Sequence, residues 1–161
     1  MQLVHSLTFD LTHPLLGNAQ LLADFFLNLP NMPADGVPYW DMKMDVIKDC
    51  TPEKINPDVP RDASAAALIA SGLYELCTYV SPEKGKKYRA VADKIVSNLH
   101  KHYQAAPDTH YGFLLLHSTG HHPGGSEIDV PLNYADYFYL EALARKEALN
   151  MKMKDCPGKA P

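Results

Sequence analysis

Apolar residues recur three and four positions apart in four stretches of the chain, the spacing that places them on one face of an α-helix. The first predicted helix covers residues 14–29. Pro14 suits its first turn, because the first N–H groups of a helix have no partner within the helix. Pro30 and Pro33 end it. The face consists of Leu15, Ala19, Leu22, Phe26 and Leu29.

The next two predicted helices are adjacent. One runs from Arg61 to Val80, with an alanine-rich start that allows a neighbouring helix to approach closely and with Asp62 placed to cap its first turn. Ser81 then caps a helix that has Pro82 in its first turn and continues to about Tyr103. Two helices joined by so short a connection form an antiparallel hairpin.

The fourth predicted helix covers residues 134–149. Asn133 followed by Asp136 resembles a capping box, in which Asp136 serves the helix start. The tail from Asn150 is expected to fray. Since no stretch pairs convincingly as strands, the pattern predicts an all-α chain with two long loops, at 30–61 and 107–132.

The first loop contains six prolines but also Tyr39 and Trp40, and aromatic residues favour an ordered loop over a disordered linker. We expect both rings to pin the loop onto the helices, with stacking on a sugar as the alternative. Arg61 and Asp62 are expected to pair where the loop enters the helix.

Bulk properties narrow the function. The chain has 161 residues, of which 46% are hydrophobic and 21% charged, with a net charge of −4. These values suit one folded domain, residues 1–161, and argue against nucleic acid as a partner. The strongest apolar run, 113–116, is too short to span a bilayer, and residues 1–20 lack the pattern of a signal peptide. A soluble chain without a membrane partner is predicted.

Three stretches together resemble family 88 of the glycoside hydrolases, the unsaturated glucuronyl hydrolases. They are DGVPYWDM at 35–42, PRDASAAALIASGLYEL at 60–76 and HSTGHHPGGSEIDVPLNYADYFYLEAL at 117–143. The similarity covers about residues 15 to 149. It implies an (α/α)6 toroid of helical hairpins, of which this chain would form an incomplete, C-terminal part. The related unsaturated rhamnogalacturonyl hydrolases are a weaker match.

The resemblance also implies an activity. The family hydrates the C4=C5 double bond of a 4,5-unsaturated uronic acid and so releases it from an oligosaccharide, without metal or other cofactor. Its two catalytic aspartates and an Arg-Gly-Gln-Ala-Trp segment precede the region matched here, and that segment is absent from this sequence. The chain alone is therefore expected to be inactive, and to self-associate or to pair with a missing N-terminal part. A non-catalytic helical carbohydrate-binding or partner-binding fragment is the alternative. Family members are cytoplasmic or periplasmic.

The candidate site is the loop HSTGHH at 117–122. By place in the family's motif, the resemblance implies that Ser118 contacts the substrate, and His121 falls where some members have a polar residue that contacts a sulfate. The alternatives are a turn cap at Ser118 with solvent-facing histidines, or a metal site, which the nearby glycines and Pro123 argue against. Substitute catalytic carboxylates would be Asp129, Asp136 and Glu141, although Asp136 reads as a cap and Glu141 as a flank residue.

Overall fold

A computed structural model describes residues 14–42 and 59–154 of the chain. Four α-helices follow one another: α1 (Pro14–Leu27), α2 (Ala63–Leu76), α3 (Pro82–Asn98) and α4 (Asn133–Lys154). A π-helical turn, Leu99–Tyr103, continues α3, and 3-10 turns occur at His110–Gly112 and His122–Gly124. Within the described ranges the chain pairs as strands only at isolated bridges. The all-α prediction is confirmed.

The helix α2 is central, since it packs against both α3 and α4. Its alanines carry the packing: Ala63, Ala66, Ala67 and Ala70 are fully buried. Small side chains let helix axes approach closely, as the alanine-rich sequence predicted. Larger buried side chains from α3, from its π-helical turn and from α4 complete the core, among them Tyr88, Ile95, Leu99 and Tyr139.

Local capping signals fix the α2–α3 hairpin. The Asp62 carboxylate accepts hydrogen bonds from the N–H groups of Ser64 and Ala65, and the Ser81 hydroxyl accepts one from Lys84. Both caps were predicted. The connection is tight enough that a Cβ atom on Gly85 would lie 2.6 Å from the Cys77 carbonyl oxygen, so this position requires glycine.

Two predictions about α4 are wrong: where it ends, and what Asp136 does. The helix α4 does not end at Leu149 but continues to Lys154, and the Asn150 side chain accepts a hydrogen bond from Arg89 of α3 at 2.6 Å. Asp136 serves the loop before α4, because its two carboxylate oxygens accept the N–H groups of Leu114 and Leu115 at 2.9 Å. The side chain therefore ties that loop to the helix where a capping role was expected.

The two described ends of the first long loop are joined by backbone hydrogen bonds. The N–H of Trp40 donates to the Pro60 carbonyl at 3.0 Å, and the N–H of Asp62 donates to the Pro38 carbonyl at 2.9 Å. Tyr39 is buried and Trp40 half-buried, which agrees with the predicted packing role of both rings. The remainder of this predicted loop, 43–58, lies outside the described residues, as do 1–13 and 155–161.

No helix within 14–42 and 59–154 is long and apolar enough to cross a bilayer.

Candidate functional site

The predicted site lies in a hairpin-like loop, residues 117–130, which we call the 117–130 loop. Its two arms pair antiparallel at Ser118 with Val130 and at His121 with Ser126. Both backbone hydrogen bonds between Ser118 and Val130 are present, at 2.9 and 3.0 Å. Gly125 has a φ of 69°, a left-handed conformation that glycine adopts without strain, and it closes the turn at the tip.

The 117–130 loop is fastened to the start of α2. The His117 carbonyl accepts the N–H of Ala63 at 3.0 Å, which satisfies one of the free donors of the first helical turn. The Thr119 hydroxyl donates to the Arg61 carbonyl at 3.1 Å. The sequence segment that begins α2 therefore also positions the loop.

The tip of the loop is fastened to the first long loop. The imidazole of His122 stacks on the indole of Trp40 with 4.1 Å between ring centroids and an interplanar angle of 2°. This contact joins the two long loops. It occupies one face of the Trp40 ring, the residue whose alternative role was to stack on a sugar.

The two predicted substrate-binding residues face different environments. Ser118 is fully buried, and its hydroxyl lacks a hydrogen-bond partner among the described residues. His121 is exposed, with its Nδ1 atom 3.3 Å from the Ser126 hydroxyl. The structure therefore brings the two residues into one loop but not onto one surface.

The loop contains a histidine–carboxylate pair that the sequence did not reveal. The Nδ1 atom of His117 lies 2.7 Å from a carboxylate oxygen of Asp129, and the two side chains are 27% and 35% exposed. The His117 ring also meets the edge of Tyr103, with 6.0 Å between centroids and an interplanar angle of 81°. The two residues are twelve positions apart in a glycine-rich segment, so no helical or strand periodicity could have predicted the pair.

A second unpredicted group lies beneath the loop. The buried Asp35 carboxylate accepts hydrogen bonds from the guanidinium of Arg61 at 2.5 Å and from the Tyr103 hydroxyl at 2.9 Å. The Arg61 guanidinium also lies 4.8 Å from the centre of the Tyr39 ring. Burial raises the pKa of Tyr103, which keeps the phenol protonated as the donor. The predicted pairing of Arg61 with Asp62 is wrong, because Asp62 caps α2 and Arg61 reaches Asp35.

The candidate catalytic carboxylates are all engaged. Asp129 pairs with His117, and Asp136 accepts two loop amides. Glu141 accepts a hydrogen bond from Ser71 at 2.5 Å and pairs with Arg145 at 3.4 Å. Each carboxylate therefore already has a structural partner.

The three loop histidines each have a different partner: Asp129, Ser126 and the Trp40 ring. Among the described residues no three His, Cys, Asp or Glu side chains are grouped so that they could hold a metal ion.

No protein-family model matches the chain. Its sequence is nevertheless similar to those of several individual proteins. An unsaturated glucuronyl hydrolase of Formosa agariphila is 41% identical over 138 residues, which is 85% of this chain and 32% of that protein. The unsaturated glucuronyl hydrolase of Bacillus sp. GL1 is 33% identical over 147 residues, 86% of this chain and 36% of that protein. An unsaturated chondroitin disaccharide hydrolase of Streptococcus pneumoniae is 30% identical over 126 residues, 77% of this chain and 29% of that protein.

Solved structures of such hydrolases are similar to this chain as well. An unsaturated glucuronyl hydrolase specific for heparin superposes with a TM-score of 0.75 at 42% identity, over 84% of this chain and 34% of that one. The enzyme of Bacillus sp. GL1 superposes with a TM-score of 0.69 at 32% identity, over 83% of this chain and 33% of that one. The fold is thus that of part of an all-α toroid. By sequence and fold this chain resembles the unsaturated glucuronyl hydrolases, and it spans about a third of the length of the relatives that it matches.

Proposed function

We propose that this chain is the portion of an unsaturated glucuronyl hydrolase that carries a substrate-binding loop, in an enzyme that releases 4,5-unsaturated uronic acid from oligosaccharides by hydration of the C4=C5 double bond. The observation that carries the proposal is the agreement of sequence and fold with such hydrolases, at 41% identity over 85% of the chain and a TM-score of 0.75. One solved relative, a mutant unsaturated glucuronyl hydrolase from Streptococcus agalactiae, is a complex with dGlcA-GalNAc6S.

The chain alone does not supply the chemistry in this proposal. Hydration of a vinyl ether needs one carboxylic acid to protonate the double bond and one carboxylate to activate water, both within hydrogen-bond reach of the sugar. Asp129, Asp136 and Glu141 are each held by other groups of the protein. We place the acid and the base in the part of the toroid that lies outside the matched third.

The 117–130 loop supplies substrate contacts in this proposal. His121 is accessible at the loop surface. The hydroxyl of Ser118 is enclosed, so its contact with a sugar requires the loop to open. Leaving a buried hydroxyl unpaired costs about 1–3 kcal/mol, which a hydrogen bond to a ligand would offset. Both assignments remain predictions.

The partner of this chain in the proposal is the rest of the toroid. Apolar residues of α1, α2 and α4 line an open groove of about 970 Å³. Leu22, Phe25 and Leu68 in this groove are 69%, 66% and 48% exposed. An apolar surface of this kind is characteristic of an interface. We propose that helices of the remaining toroid cover it, and that isolated copies of the chain associate through it.

The test is the ultraviolet absorbance of an unsaturated chondroitin disaccharide, which disappears when the double bond is hydrated. The purified chain is expected to cause no loss of absorbance. We expect turnover when the chain is mixed with the complementary two thirds of the Formosa relative. That part would supply the catalytic acid and base, each of which contributes about 100- to 10,000-fold in rate. The complementary part alone is the control. Turnover by the chain alone would contradict the assignment of catalysis to the missing part, and no turnover by a stable mixture would contradict the proposed function.

A further inference from the structure

The pair formed by His117 and Asp129 is accessible in the 117–130 loop, and its geometry constrains the imidazole. A carboxylate can only accept a hydrogen bond, so the Nδ1 atom that faces Asp129 at 2.7 Å carries the proton. In the neutral ring the other nitrogen, Nε2, then has a free lone pair. Among the described residues, Nε2 has no hydrogen-bond partner.

The ring is held on a second side as well. The edge contact with Tyr103 limits rotation of the imidazole, and Tyr103 is itself fixed by its hydrogen bond to the buried Asp35. Asp35 in turn pairs with Arg61. Among the described residues, the titratable groups in contact with the imidazole are Asp129 on the far arm of the loop and Tyr103 from the π-helical turn. Asp35, which accepts the Tyr103 hydroxyl, and its partner Arg61 lie beyond Tyr103.

The stability that the pair provides does not account for its arrangement. His117 and Asp129 both adopt left-handed backbone conformations, with φ of 63° and 55°. Such conformations are uncommon for residues other than glycine, although His and Asp adopt them more readily than most, and a partly exposed pair of this kind contributes only about 0–1 kcal/mol. His110 has a similar backbone conformation outside the loop, so the positive φ alone does not distinguish His117; its fixed imidazole, with Nε2 unpartnered among the described residues, does.

We propose that His117 is a substrate-binding residue whose Nε2 atom accepts a hydrogen bond from a sugar hydroxyl, with Asp129 as the positioning residue that fixes the tautomer. This inference rests on the proposed function, because it takes the ligand to be an unsaturated uronate oligosaccharide. It adds a contact that Ser118 and His121 do not provide: His117 precedes the enclosed Ser118 and has a partly exposed side chain.

The variant His117→Asn separates the two roles of the imidazole. The asparagine amide can still donate to Asp129 from the position of Nδ1, and asparagine tolerates the left-handed conformation, but nothing replaces Nε2. His110→Asn is the matched control, because His110 also has a left-handed backbone conformation, with a φ of 50°, but is exposed and lies outside the loop.

In the experiment, an unsaturated chondroitin disaccharide is titrated into the chain, and the imidazole nitrogen and backbone amide signals of the protein are followed by NMR. We expect His117→Asn to bind about two- to tenfold more weakly, the loss expected for one neutral hydrogen bond, and His110→Asn to bind like the parent chain. The His117 ring should show its proton on Nδ1 in the free protein.

Three results would overturn the inference. Equal affinity of the parent chain and His117→Asn would do so and leave the proposed function intact. A proton on Nε2 would contradict the tautomer. A folded parent chain that binds no disaccharide would exclude the contact in this chain, while turnover of the mixture with the complementary part would still decide the proposed function separately.

Discussion

Asp35 is a buried carboxylate that pairs with the guanidinium of Arg61. Its side chain is 8% exposed and its partner Arg61 is 4% exposed. Tyr103 and the N–H of Val37 donate to the same carboxylate. Removing water from two charges costs several kcal/mol, which only good geometry and further hydrogen bonds offset. The first long loop and the 117–130 loop therefore both depend on the intact pair of Asp35 and Arg61.

Arg61→Met tests this dependence. The variant leaves the Asp35 carboxylate buried without its cation, and we expect the free energy of unfolding to fall by about 3–5 kcal/mol. Glu75→Gln is the control, because Glu75 is half exposed and its pair with Arg145 at 3.5 Å should contribute no more than about 1 kcal/mol. Urea denaturation measures both. A change of less than about 1 kcal/mol in Arg61→Met would show that the pair does not hold the loops.

At the scale of elements, α1 differs from the other helices because none of its residues is buried. Polar contacts attach it to α3. The Asp24 carboxylate accepts a hydrogen bond from the Tyr88 hydroxyl at 2.7 Å and pairs with Lys84 at 2.8 Å. The hydrogen bond from Lys84, followed by that from Tyr88, lowers the pKa of Asp24 from its ordinary value of 3.8.

We expect Asp24→Asn to loosen α1 selectively. Because the pair is exposed, amide hydrogen exchange in α1 should accelerate by about two- to fivefold while exchange in α2 stays unchanged. Since the folded pKa of Asp24 is lowered, its contribution is present above 3.8 and is lost as the pH falls through the folded value. Asp108→Asn, an exposed change in a loop, should leave α1 unaffected. Equal exchange in α1 of the parent chain and Asp24→Asn would refute this attachment.

The elements that could be predicted from the sequence are those with local signals. The caps at Asp62 and Ser81 lie within three residues of the N–H groups they serve, so pattern alone identifies the α2–α3 hairpin. The pairs of Asp35 with Arg61 and of His117 with Asp129 join residues 26 and 12 positions apart across irregular backbone. No periodicity relates such positions, and only the packed structure brings them together.

At the scale of the whole molecule, the groove between α1, α2 and α4 is the surface that a complete toroid would have to cover in our proposal. The apolar side chains that α2 and α4 contribute come from helices whose other faces pack into the core, whereas no residue of α1 is buried. A helix with apolar residues on more than one side is ordinarily buried on more than one side. An uncovered groove should therefore bind whatever apolar surface is present, including another copy of the chain.

The last prediction concerns this association. The isolated chain is expected to form oligomers in analytical ultracentrifugation, and Leu22→Lys should shift them toward monomer by at least about tenfold in dissociation constant, because a charge placed at an apolar interface must lose its water. Asn18→Lys adds the same charge one turn away, at an exposed position that does not line the groove. It should leave association unchanged. Monomers of the parent chain at every concentration, or equal effects of the two lysines, would refute the groove as the contact surface.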